Sequence, residues 1–168
     1  MQKFKTNYKT ITILAFYLSS LVISPTPCYA KDSVPLSQRV VSFGRSRIGQ
    51  TVNNGNCWVF VRDALAQSGA KFPGRGGQYP VRVFGRQISS NELRPGDIIY
   101  FQSAVFAFRG RVYAWTGPEH YAIIESRRYA TVQILHQNWA GKRYVIRGQV
   151  DLNNLISGRL IFFRPQTR

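Results

Sequence analysis

Three residues in this chain have side chains that together could make a nucleophilic site. Cys57 stands in the run Asn54-Gly55-Asn56-Cys57-Trp58-Val59-Phe60-Val61, and the two histidines are His120 and His136. A thiol becomes an effective nucleophile when its pKa falls, a base lies within reach and a third group orients that base. The Gly/Asn loop runs directly into Cys57 and places it at a helix N-terminus, where exposed amide N–H groups and the macrodipole favour thiolate. The plain alternative is a buried, inert cysteine beside Trp58 and Phe60, because free cysteines are commonly core residues.

The histidines weigh against that alternative. His120 opens a predicted strand, His120–Ser126. Period-two alternation puts His120 on one face with Ala122 and Ile124, and Tyr121, Ile123 and Glu125 on the other. In the next predicted strand, Thr131–Asn138, His136 and Asn138 share a face with Val132 and Ile134, whereas Leu135 and Gln137 point the opposite way. If the two strands are neighbours, either His136 or Asn138 can accept the ring N–H of His120. Its other nitrogen is then left for Cys57. Glu119 and Glu125 read as solvated or arginine-paired, and Asp97 as the cap of the Pro95-Gly96 turn.

These residues need elements to hold them. Helical spacing of Leu36, Val40 and Val41 after Pro35 predicts a helix over Ser33–Gly49. A second helix starts at Asn56 or Cys57 and ends at Ser68, before Gly69. Lys71–Gly85, with two Pro and four Gly, reads as an irregular loop. Beyond the turn at Leu93–Asp97 come strands at Ile98–Phe101, His120–Ser126, Thr131–Asn138, Tyr144–Gln149 and Leu160–Arg164. An aromatic, basic hairpin lies around Arg109-Gly110-Arg111. The plan is α+β, with N-terminal helices packed on an antiparallel β-sheet.

Residues 1–30 have the pattern of a signal peptide. Lys3, Lys5 and Lys9 precede an apolar run, Ile11–Ile23, and Cys28-Tyr29-Ala30 offers small residues to a signal peptidase. Cleavage is expected after Ala30, leaving one exported domain over residues 31–168 with Cys57 as its lone cysteine. The whole chain carries 23 basic and 7 acidic residues, a formal net charge of +16. Removing three Lys and no acid lowers that to +13. Such a surface favours polyanions. The arginines are dispersed and match no nucleic-acid reader motif, so nucleic acid is not the expected partner. No stable membrane span, metal-ligand spacing or cofactor motif is expected in the exported domain, which should be a monomer.

The order of a helix-borne Cys, a His opening a strand and a polar residue on the next strand resembles the CHAP and NlpC/P60 group of papain-like cysteine peptidases and amidases. Four segments carry the resemblance: Gly55–Val61, Leu93–Ile99, Glu119–Glu125 and Leu135–Trp139. It implies a papain-like fold and hydrolysis of an amide bond in cell-wall peptides, with Cys57 as nucleophile and His120 as base. His136 or Asn138 would be the orienting group. Many CHAP members have Glu two residues before the Asn, where this chain has His136. The backbone N–H of Cys57 would be one oxyanion donor, and a side chain from Val52–Asn56 is a candidate for the second. The other function considered is a non-catalytic module of the same fold that binds an anionic envelope polymer.

Overall fold

Pro35 caps the first helix, α1 (Leu36–Ser46), without a side-chain hydrogen bond to its first turn. The computed structural model describes residues 34–71 and 84–168. The expected leader with Cys28, and most of the Lys71–Gly85 loop, lie outside the described residues. Helix α1 is shorter at both ends than the predicted span, and buries Val40, Val41 and Gly44. At Gly44 a Cβ would come within 2.8 Å of Leu135 Cδ1, so the bare backbone lets α1 approach the sheet closely.

Helix α2 (Cys57–Gln67) starts where the Gly/Asn loop predicts. The Asn56 side chain accepts a hydrogen bond from the Trp58 amide at 2.9 Å, satisfying one orphan donor of the first turn. Its buried face holds Phe60, Val61, Ala64 and Leu65, and the chain turns out of the helix at Ser68 and Gly69.

Among the described residues seven antiparallel strands follow: β1 (Arg86–Ile88), β2 (Ile98–Phe108), β3 (Arg111–Trp115), β4 (Glu119–Arg128), β5 (Thr131–His136), β6 (Ile146–Asp151) and β7 (Leu155–Arg164). They form one sheet in the order β1-β7-β2-β4-β5-β6, with β3 paired to β2. The fold is α+β, with two α-helices among the described residues and a curled antiparallel sheet. Strand β2 is much longer than the predicted Ile98–Phe101. Its first half pairs with β4 (Ile98↔Ile123 to Gln102↔Glu119) and its second half with β3 (Val105↔Trp115 to Phe108↔Arg111). Ser103, at φ 49°, marks the change of partner. Gly158 of β7 crosses there at φ 82°, and a Cβ on it would lie 2.3 Å from the Ser103 carbonyl oxygen. Only glycine fits that crossing.

The two faces of the sheet build two cores. Tyr100, Tyr121, Ile123 and Leu135 join Val40, Phe60, Val61, Leu65 and Cys57 on the helix side. Phe101, Ala122, Ile124, Val132 and Ile134 form the other. Glu125 faces the helix side and is buried, not solvated. It accepts hydrogen bonds from Arg45 Nε and Arg147 Nη2, both at 2.7 Å, and these cations hold its carboxyl below the usual range. Asp97 caps its turn through the Arg94 amide, and also pairs with Arg164 at 2.9 Å.

Candidate active site

Cys57 is the first residue of α2 and only 6% exposed. The backbone N–H groups of Tyr121, Trp58 and Cys57 itself lie near its sulfur and favour thiolate. The Tyr121 amide can reach it because of strand register. From the hairpin end the β4–β5 pairing runs from Arg128↔Thr131 to Ile123↔Leu135, so Glu119–Ala122 pair with β2 but not with β5. The helix start meets β4 at this opening.

His120 and His136 stand in the same opening. His120 Nε2 lies 3.1 Å from His136 Nδ1, and both rings are buried. Trp139 packs edge-on against both, with centroids at 4.8 Å from His120 and 4.7 Å from His136, and Phe101 closes on His120 at 5.8 Å. The backbone turn that holds Trp139 is pinned by Asn138 N–H to Lys142 O at 2.8 Å. On the far side Gly148 of β6 leaves room for the second ring, since a Cβ there would lie 2.6 Å from His136 Nε2.

Of the two candidate orienting groups, the structure brings His136 to His120. Asn138 lies past the end of β5, exposed and at φ 64°, so the predicted strand Thr131–Asn138 stops two residues early. Alternation does not extend into a left-handed turn residue. Cys57 and His120 approach from opposite faces of β4: the thiol sits among the helix-side core, and His120 packs with Phe101 and Trp139. Among the described residues no hydrogen bond joins the thiol to the imidazole.

Gln137 is the group that residue-type reasoning passed over. It is fully buried on the helix side. It accepts from Val52 N at 3.0 Å and donates to Val52 O at 3.0 Å and Asn56 O at 2.9 Å. It therefore clamps the loop that delivers Cys57. Alternation with Leu135 already put Gln137 on the helix side, which was the available signal. Asn54 and Asn56, the expected source of a second oxyanion donor, spend their side-chain oxygens on the amides of Asn56 and Trp58. Glu119, read as solvated or arginine-paired, is exposed and is held by two tyrosines. It accepts from the Tyr100 hydroxyl at 3.0 Å and the Tyr121 hydroxyl at 3.4 Å.

Electrostatically the site rests neutral. Burial pushes the Cys57 thiol up, the three backbone amides oppose this, and the nearby Glu119 charge adds to the rise. The lowered thiol pKa expected from the helix start alone does not result, because desolvation outweighs the amides. Burial also drives both imidazoles below their ordinary range, His120 further because a charged His136 would oppose it. The arrangement holds a protonated thiol, an uncharged base and an uncharged orienting ring.

A family model described as the AIM3/BBC1 cysteine proteinase-fold domain matches residues 33–168. The chain belongs to that family. Of the expected resemblance, this match shows the cysteine proteinase fold and does not single out the CHAP or NlpC/P60 group. The chain is similar to Altered inheritance of mitochondria protein 3 of Debaryomyces hansenii, 28% identical over 142 residues. That match covers 75% of this chain and 15% of the yeast protein, so the chain spans only a small part of the relative's length. A solved structure described as Ly7917 with the hydrolyzing product of MDP superimposes with a TM-score of 0.51 at 16% identity. It covers 77% of this chain and 62% of that one, and shows likeness of fold. A separate surface cleft of about 560 Å³, lined by Pro35, Ser37, Arg94, Asp97 and Arg164 among others, shares no residue with the site.

Proposed function

We propose that the domain is a cysteine-dependent amide hydrolase with Cys57 as nucleophile, His120 as base and His136 as the ring that orients it. The observation that carries this is the 3.1 Å contact between His120 Nε2 and His136 Nδ1 beside the start of the helix that bears Cys57. If His120 Nε2–H donates to His136 Nδ1, then His120 Nδ1 is the free basic nitrogen. Turnover requires the Cys57 thiol and this nitrogen to meet around the start of β4; the thiol proton then passes to the nitrogen as sulfur bonds to the amide carbon. His120 then returns the proton to the leaving amine as the C–N bond breaks, and water, deprotonated by His120, hydrolyses the thioester. The Cys57 amide serves the oxyanion. A neutral imidazole orients without adding a buried negative charge, so it supports the imidazolium less strongly than a carboxylate would.

Peptides of a bacterial cell wall are the substrate class proposed, with export directed by residues 1–30. Purified peptidoglycan and denatured casein, each incubated with the protein, should release new primary amines in at least one case. Cys57→Ala should abolish the release. Absence of release from both, or release that survives Cys57→Ala, overturns the hydrolase reading. Mature protein that retains residues 1–30 after expression in a secreting host would refute the export part.

A second reading rests on the burial of Cys57 and its raised pKa: a non-catalytic module that retains an anionic envelope polymer. It predicts polymer binding that is unchanged by Cys57→Ser and steeply salt-dependent.

A further inference from the structure

The second half of β2 and the whole of β3 form a hairpin whose outer strand, among the described residues, pairs only with β2. Within eight residues it exposes four large apolar side chains: Phe108 at 57%, Val112 at 60%, Tyr113 at 47% and Trp115 at 66%. Single exposed apolar residues are ordinary on a protein surface, but four on one short hairpin, with Val112 and Trp115 on one face and Phe108 on the other, suit insertion of the tip between other molecules. The turn between the strands is Arg109-Gly110, at φ 50° and 76°, the two positive values a tight type I′ hairpin needs. Nothing lies within 4 Å of a Cβ placed on Gly110, so the tip projects into open space.

Charge decides what such a tip can meet. Arg109 and Arg111 flank the turn, and the Arg109 guanidinium lies 5.2 Å from the Phe108 ring centroid. No acidic residue occurs between Ile98 and Pro118. Amphipathic aromatic rings beside arginines suit the boundary between acyl chains and anionic headgroups, where rings bury their apolar bodies and guanidiniums meet phosphate. We propose that the β2–β3 hairpin docks on an anionic lipid surface, with Phe108 and Trp115 entering the headgroup region and Arg109 and Arg111 pairing with phosphates. The hairpin is tied to the start of β4: Thr116 Oγ1 accepts from Ala104 N at 3.1 Å, and Ser103 N donates to Pro118 O at 3.0 Å. Docking would therefore hold Glu119 and His120 near the lipid surface. The proposal stands whether or not Cys57 is catalytic.

The full chain should be mixed with phosphatidylcholine vesicles, with and without about one third phosphatidylserine, and sedimented at 0.1 M salt. Binding to the anionic vesicles is expected, with a blue shift of tryptophan emission and quenching by acyl-brominated lipid, both lost in Trp115→Tyr. The double variant Phe108→Ser/Trp115→Ser should weaken binding at least tenfold. Arg109→Gln/Arg111→Gln should remove the preference for phosphatidylserine. All four positions are exposed, and circular dichroism of the variants checks that the fold is kept. Absence of vesicle binding overturns the proposal. Binding that both double variants retain in full also overturns it, because residues outside the hairpin would then carry it. Retention on a polysaccharide or protein bait without vesicle binding has the same consequence.

Discussion

His120 Nε2 and His136 Nδ1 lie 3.1 Å apart in the opening where β4 and β5 have stopped pairing. Two neutral rings can share one proton at that distance with either as donor. Only the arrangement with His120 donating leaves the nitrogen a base needs. His136→Ala should therefore lower kcat for amide hydrolysis by about 10²-fold with little change in KM. His136→Asn should recover part of the loss, as its side-chain oxygen can accept the same proton. Equal activity of His136→Ala and wild type would show that the ring has no orienting role.

Glu119 opposes thiolate formation at Cys57. In Glu119→Gln the pH midpoint for iodoacetamide labelling of Cys57, followed by mass spectrometry, should move down. In the wild type that midpoint should lie above the ordinary thiol value of about 8.5. An unchanged or higher midpoint in the variant would remove Glu119 from the electrostatics of the thiol.

Gln137 satisfies Val52 N, Val52 O and Asn56 O from a fully buried position. Gln137→Ala leaves three backbone groups without that partner and should cost roughly 2–4 kcal/mol in urea unfolding. Labelling of Cys57 should become faster in the same variant, because the loop that delivers the thiol loosens. A loss below about 0.5 kcal/mol would mean that water replaces the side chain freely.

Acid should destabilise the domain earlier than its carboxylates require. His120 and His136 have folded-state pKa values lowered to about 3 and about 4, against the ordinary 6.5. The unfolded chain takes up these protons first, so the stability they contribute is complete above about pH 6.5. It is lost as pH falls toward 4 and below, at roughly 1.4 kcal/mol per pH unit for each imidazole. Glu125, whose folded pKa is lowered by its arginines, adds a loss of the same sign below about pH 4.5. The urea midpoint should drop between pH 7.5 and pH 5, and by less in His136→Asn. A flat profile over that interval would contradict the burial of the two rings.

Local pattern made several features legible. Asn56 caps α2 because a short polar side chain before a run of helix formers satisfies an amide locally, whatever the rest of the fold does. Alternation along Glu119–Glu125 and Thr131–His136 separated His120 and His136 from Tyr121, Leu135 and Gln137, because strand geometry has a period of two wherever it occurs. The Arg109-Gly110 hairpin is equally local. Less legible were the length of β2, which depends on a change of partner at Ser103, and β1, whose three residues carry no periodic signal and exist by pairing with β7.

The sequence by itself determined which groups could react and which face of its strand each would take. Tertiary structure alone decided which groups meet and in what ionisation state. Asn138 was excluded from the His120 contact by a left-handed turn that closes through Lys142, and Gln137 was recruited to a loop 81 to 85 residues away in the chain. The thiol's upward shift has the same origin. A helix start favours thiolate through nearby dipoles, but burial under Tyr121 and the helix-side core removes the water that would solvate the charge. The first effect is written in a few adjacent residues, whereas the second exists only once distant segments have packed.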